Sequence, residues 1–333
     1  MQSGRAHGKV ILVGEHAVVH GVPAIAVGID RGCVASARPL PRGPSQLSIA
    51  AWNAGIAEDD ASDLARGYRA LLDASRGAIG SGAFAVEVSV DLPAGAGLGC
   101  SAAVAISIAR ALDPGANVSE IEARAMAWER VFHGNPSGID AAVCARGGAL
   151  SYRRPGPGVS MALDGVLHLA IGHSGMAAST KAMVASVARQ MERRPEFVGE
   201  VFASIADISA AATRAIQASD REELGKLLDA NQRLLAALGL STPDLERMCE
   251  LARGSGALGA KLTGSGGGGC AVALAPSAHV ARGIVARWKH AGYTGFATVA
   301  GQEKPVVPRA LRASEARSGD ALEVRAGARA GVD

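Results

Sequence analysis

Apolar residues fall into short runs and helical stripes along this chain. Phe84-Ala-Val-Glu-Val-Ser-Val90 alternates apolar and polar side chains at every step, the period of a strand buried on one face. Val10-Ile-Leu-Val13 is a continuous apolar run that closes a short strand over Gly8–Val13. Ala24–Asp30 and Cys33–Arg38 read as two more strands joined by a tight turn at Arg31-Gly32, with loop over Pro39–Pro44 and Gly77–Gly82. Leu64, Tyr68, Leu71 and Leu72 share one side of a helix over Asp59–Ser75. A second helix occupies Ser101–Leu112, and Ser119-Glu-Ile-Glu122 opens a third as a capping box that Gly134 stops.

Beyond a strand at Gly147–Tyr152, the stretch Arg153–Gly158 is rich in Pro, Gly and Arg and reads as a domain boundary. A strand at Leu167–Ile171 then leads into helices from Ser179-Thr180-Lys181 to about Arg253. Strands at Ala257–Leu262 and Cys270–Ala275 flank a glycine loop, Thr263–Gly269, and a helix (Ser277–Ala291) and a strand (Tyr293–Val299) follow. This order predicts an α+β fold with an antiparallel sheet in the second half. At 333 residues there is material for two cores, and the expected domains are 1–155 and 160–307, with 308–333 a disordered tail.

Composition narrows the function classes. Hydrophobic residues at 48% and charged residues at 20% are those of a globular chain. Aromatics at 3% and a net charge of only +3, with scattered arginines, argue against nucleic acid as a partner. Gly14-Glu15-His16 ends the first apolar run too soon for a signal peptide or membrane span, and no other run is long enough, so no membrane is expected. Five dispersed cysteines without a Cys-x-x-Cys pair point to a reduced, cytoplasmic protein.

The candidate chemistry begins at Asp91-Leu-Pro-Ala-Gly-Ala-Gly-Leu-Gly-Cys-Ser101, which runs from a strand into a helix. Glycines at positions 95, 97 and 99 let the backbone approach a ligand, and the helix start turns free N–H groups on it. The spacing is neither the Rossmann fingerprint nor a Walker loop, so the loop is either another class of phosphate cradle or a tight turn. Lys9 leads into a second polar turn, Gly14-Glu-His-Ala-Val-Val-His-Gly21, open to reading as a substrate pocket or a solvated loop.

With His133-Gly-Asn-Pro-Ser-Gly-Ile-Asp140 and Lys261-Leu-Thr-Gly-Ser-Gly-Gly-Gly-Gly-Cys270, these segments resemble, in order and composition, the signature motifs of the GHMP small-molecule kinases. The similarity runs from about residue 8 to 300, and the mevalonate kinases are the most similar branch. The resemblance implies a ribosomal-protein-S5-domain-2-like N-terminal α/β domain and a ferredoxin-like C-terminal α+β domain, with the active site in the cleft between them. It implies ATP as co-substrate, held by Pro93, Gly95, Ala96, Gly97, Leu98, Gly99, Cys100, Ser101 and Ala102. Mg²⁺ would be held by Ser101 and Glu129, and Asp140 would be the catalytic base with Lys9 beside it. Lys9, Glu15, His16, Thr180, Gly264 and Ser265 would bind the acceptor, mevalonate, which is phosphorylated on its 5-hydroxyl. A homodimer is usual in the family. Cys100 stands where many relatives have serine, and Val104 where some have tyrosine. The rival readings are a mevalonate 3-kinase, a phosphomevalonate kinase, a homoserine kinase or an inactive ligand sensor. A sensor tends to lose the base or a magnesium ligand, and all of these are retained here.

Overall fold

The computed structural model describes residues 2–93, 95–176 and 179–301. The expected tail, 308–333, lies outside the described residues. The chain opens with two long antiparallel strands, β1 (Gln2–Val13) and β2 (Ala24–Leu40), linked through a one-turn 3-10 segment at Ala17–His20. Two short strands follow, β3 (Gln46–Ile49) and β4 (Ala54–Ala57), then α1 (Asp63–Ile79), β5 (Ala83–Val90) and α2 (Cys100–Leu112). Next come α3 (Val118–His133), α4 (Ile139–Arg146) and a hairpin of β6 (Ala149–Tyr152) and β7 (Val159–Met161). The remaining elements are β8 (Leu167–His173), α5 (Thr180–Arg193), α6 (Pro195–Gln217), α7 (Arg221–Ala237), α8 (Pro243–Arg253), β9 (Gly259–Thr263), β10 (Cys270–Ala275), α9 (Ala278–His290) and β11 (Thr294–Ala300).

The strands form one mixed α+β sheet in the order β4-β3-β5-β2-β11-β8-β10-β9, with β1 and β6 also paired to β2. The sequence expectation of a turn at Arg31-Gly32 is corrected, because β2 runs unbroken through it. The register against β1 shifts there, so Asp30 and Arg31 form a bulge. Gly32 is required at that point, since a Cβ would sit 1.9 Å from the Ala6 carbonyl oxygen. The bulge turns two side chains toward β11. The Asp30 carboxylate accepts from the Thr298 hydroxyl and from the Val299 N–H (3.3 Å), and Arg31 lies 3.9 Å over the Phe296 ring. Because the β2–β11 ladder has a single register pair, Ala300 with Ile29, these side chains supply much of the seam.

Two helix starts also differ from the sequence reading. Ser62 caps α1 by accepting from the Ala65 N–H at 3.2 Å, so the helix begins after Asp59. The capping box of α3 is Asn117 with Glu120, at 3.1 and 2.8 Å, two residues before the one expected. Glu122 is thereby free to pair with Arg146 at 2.6 Å. Arg153–Gly158 forms the connection of the β6–β7 hairpin. β3 and β4 were not anticipated; each has four residues, too few for a periodic signal.

The larger core packs Leu12, Ile25, Leu71, Ile106 and Trp128 between the N-terminal strands and α1–α3. α2 is buried nearly all round, and its small side chains admit β1 so closely that a Cβ on Gly4 would lie 2.2 Å from the Ser107 carbonyl oxygen. A second core gathers Val198, Phe202, Leu245, Met248 and Trp288 under α5–α9. There the Trp288 indole donates to the Met248 carbonyl at 2.8 Å, as a buried indole must find an acceptor. All five cysteines are free and buried. Among the described residues no helix is long and apolar enough to cross a membrane.

Close packing also joins α7 to the entry of β9, where a Cβ on Gly225 would fall 2.3 Å from the Leu258 carbonyl oxygen. Gly225→Ala should therefore lose about 1–2 kcal/mol despite alanine's better helix propensity, lowering the thermal midpoint by a few degrees. Gly199→Ala in α6, where nothing lies within 4 Å, should instead raise it. Thermal denaturation of the two variants beside the parent checks both signs.

Candidate active site

β5 delivers the chain into the first glycine loop, where Gly95, Gly97 and Gly99 have φ of +67°, +74° and +71°. These are left-handed conformations that a side chain would strain. The loop is docked on β1 by the Lys9 N–H, which donates to the Leu98 carbonyl at 2.9 Å. Gly99 lies against the Lys9 stem, and a Cβ there would be 2.8 Å from Lys9 Cγ. α2 then starts at Cys100 without a side-chain cap, so its first-turn N–H groups are presented by Cys100, Ser101 and Ala102. Such a terminus is a ready anion site. Pro93, Ala96 and Leu98 complete the loop, with Ala96 and Leu98 buried beneath it.

Two acid-bearing pairs stand beside that terminus. Lys9 is only 2% exposed and its Nζ lies 2.9 Å from Asp140 Oδ1. Asp140 occupies the first turn of α4 and keeps 37% of its side chain exposed, so one charge is buried and its partner faces outward. Ser101 Oγ donates to Glu129 Oε1 at 2.5 Å and accepts from the Trp128 indole N–H at 3.0 Å. Burial pushes the Glu129 carboxyl above the usual carboxylate range, with the Ser101 hydrogen bond opposing. A hydroxyl and a carboxylate held together in this way are the hard oxygen donors that suit a divalent cation.

A cavity of about 450 Å³ opens in front of these groups. Glu129, Phe132, Ser137, Asp140, Thr180 and Lys181 are among its lining residues. The second glycine loop meets the first, since a Cβ on Gly264 would be 3.4 Å from Gly97 Cα. Thr263 fastens it to β1 by accepting from the Ile11 N–H (3.2 Å) and donating to the Ile11 carbonyl (3.1 Å). His16 Nε2 lies 2.8 Å from the Ser265 carbonyl oxygen, and the Thr180 hydroxyl donates to Ser265 Oγ at 3.3 Å. His16, Thr180, Gly264 and Ser265 are thus brought together from three distant parts of the chain.

Glu15 goes elsewhere. Its carboxylate is buried against the fully buried Lys261 ammonium and accepts from Asn231 Nδ2 at 3.1 Å, so it does not line the cavity. Glu15, expected to face an acceptor, is held in an internal ion pair under the turn that carries His16. Lys261 also donates to the Leu262 carbonyl, and Gln232 Oε1 accepts from the Leu262 N–H at 2.8 Å. Asn231, Gln232 and Trp128 are given no role from sequence, and Lys261 enters only as the first residue of the second glycine-loop motif. The one available signal was a lysine inside the apolar strand pattern of Ala257–Leu262.

The fold and paired glycine loops define a GHMP kinase. The family's N-terminal domain model matches residues 64–148 and its C-terminal model residues 212–294. A mevalonate kinase of Aeropyrum pernix is 34% identical over 298 residues, covering 84% of this chain and 90% of that protein. One of Thermococcus gammatolerans is 35% identical over 301 residues, covering 81% and 88%. The crystal structure of the L. major mevalonate kinase with R-mevalonate superposes with a TM-score of 0.79 at 28% identity, covering 92% of this chain and 97% of that one. A Lactococcus lactis galactokinase at 19% identity and TM-score 0.74 shares the fold. The chain belongs to the mevalonate kinase family of the GHMP kinases, ATP-dependent phosphotransferases acting on an alcohol group.

Removing one partner of a buried ion pair leaves an uncompensated charge. Lys261→Met should therefore cost about 3–5 kcal/mol in denaturant unfolding, and Glu15→Gln/Lys261→Met should recover most of that loss. Burial also lowers the His16 pKa below its ordinary 6.5, against the Ser265 contact. The unfolded chain then binds the proton more tightly, so this contribution is lost as pH falls from 6.5 through the lowered folded value. His16→Gln should flatten the stability–pH slope in that window, measured as denaturant unfolding free energy against pH.

Proposed function

We propose that this protein transfers the γ-phosphoryl group of ATP directly to the 5-hydroxyl of mevalonate. The observation that carries the reading is the Lys9–Asp140 pair, at 2.9 Å, beside the uncapped start of α2. Phosphoryl transfer needs positioning and charge stabilisation more than covalent chemistry, and no side chain is asked to form a bond to phosphorus. In this reading the amides of Gly95–Ala102 hold the triphosphate. Asp140 takes the proton of the attacking hydroxyl, while the Lys9 ammonium, paired with Asp140 at 2.9 Å, orients the carboxylate and stabilises charge developing on the oxygen. Ser101 and Glu129 would hold Mg²⁺, which supplies charge neutralisation to the phosphates when bound.

The acceptor fits the remaining groups by class. A hydroxy acid with a carboxylate and a tertiary hydroxyl needs hydrogen-bond partners and limited positive charge. Thr180 and Lys181 supply these from the cavity lining, with Ser265 and His16 linked to Thr180 through hydrogen bonds. A phosphorylated acceptor would need more lysines or arginines than Lys181, the one such side chain among the lining residues. The relatives named above, one of them solved with R-mevalonate, support the same acceptor.

Asp140→Ala should lower kcat by about 10²–10⁴ while leaving ATP affinity within about twofold. Steady-state kinetics paired with equilibrium nucleotide binding read the two effects separately. Phosphorus on carbon 5 of the product by ³¹P and ¹³C NMR is the expected outcome. Phosphorus on carbon 3, or near-parental turnover in the variant, would sink this reading.

A further inference from the structure

Asn135, Pro136, Ser137 and Gly138 connect α3 to α4 and line the active-site cavity. α3 brings Glu129 to one side of this loop and α4 brings Asp140 to the other. Where α4 begins therefore decides how the Asp140 carboxylate meets Lys9. The helix start does little to fix itself. Its N-cap is Gly138, at φ +91°, which has no side chain to bond the first-turn N–H groups. Ser137 Oγ accepts from the Ile139 N–H, but at a long 3.4 Å.

The loop is held instead from β6, a strand whose place is set by its pairing with β2, where Ala24 lies opposite Tyr152. Tyr152 is 7% exposed and packs in a small core with Ile11, Val18, Ile139 and Val143. Its hydroxyl donates to the Ser137 carbonyl at 2.5 Å. Gly138 is moulded to the same oxygen, since a Cβ there would lie 2.5 Å from Tyr152 Oη. Two residues beyond Tyr152, the Arg154 guanidinium donates to Asn135 Oδ1 at the other end of the loop. Burial pushes the Tyr152 phenol above its ordinary pKa, so it stays a neutral donor. Tyr152 is not among the residues that line the cavity, so its influence on the reaction has to pass through the loop.

We infer that Tyr152 is a positioning residue for phosphoryl transfer: its hydroxyl fixes Ser137 and Gly138, and through them the first turn of α4, so that Asp140 meets Lys9 and the acceptor hydroxyl in one geometry. The inference rests on Asp140 being the base. Rates fall steeply with placement of the reacting groups, and a displacement of about 1 Å can cost about 10². Tyr152→Phe keeps the ring and its core packing and removes only the bond to Ser137, so it loosens the loop without dismantling the strand.

The test is a double-mutant cycle on the full chain with mevalonate and MgATP. Turnover is read beside equilibrium ATP binding and amide hydrogen exchange over residues 135–141 by mass spectrometry. Tyr152→Phe should lower kcat about tenfold, leave ATP affinity within about twofold, and speed exchange over 135–141. In an Asp140→Ala background the same substitution should change kcat by less than about twofold, because a residue that acts through Asp140 then has nothing to position. A merely structural role would lower kcat by the same factor in both backgrounds. Near-parental kcat in Tyr152→Phe, an equal fall with Asp140 absent, or unchanged exchange over the loop would overturn the inference and leave the assignment of the reaction standing. Near-parental turnover in Asp140→Ala alone would remove the base, and this inference with it.

Discussion

A lysine ammonium 2% exposed inside a strand is tolerated only with a carboxylate in reach, and that constraint organises the N-terminal half. Lys9 and Asp140 lie far apart in sequence, so α4 must be set against β1, and its first turn must aim back at the strand. The first glycine loop adapts to the same side chain, because Gly99 packs on the Lys9 stem while the Lys9 N–H holds the Leu98 carbonyl. One residue therefore positions the loop with its backbone and the acid with its side chain.

A second buried lysine repeats the device in the other half for a different end. Lys261 faces Glu15 inside the protein, closed to solvent on both sides. Where the Lys9 pair has one exposed member, the Lys261 pair has none and serves as an internal strut. It supports the turn of His16 and the strand that leads into the second glycine loop. With Thr263 bonded to both polar groups of Ile11, it fixes the distance between the two glycine loops.

Much of this was legible in the residues. Strands and helices with a sustained period, Phe84–Val90 and Ser101–Leu112 among them, lie where their patterns put them. The glycines at positions 95, 97 and 99 announced left-handed backbone through their spacing. What was hidden depended on partners distant in sequence. Arg31-Gly32 has the local chemistry of a turn, and only pairing with β1 on one side and β11 on the other turns it into a bulge. Glu15 reads as a pocket residue from its place in a family motif, and its buried partner cannot be seen locally because Lys261 lies 246 positions away. Asn231 and Gln232 look like ordinary polar helix positions until β9 is laid against them.

The seam at Asp30 and Arg31 bears on the order in which the molecule can be built. β11 is the last described strand in sequence, yet it sits in the interior of the sheet, between β2 and β8. A nascent chain can pair β1 with β2 and lay α2 over them early, but Ile29 has no neighbour on its open side until Ala300 has been synthesised. The ribosome must therefore finish nearly the whole described chain before the sheet closes, and until then one edge of β2 waits uncovered for its complement.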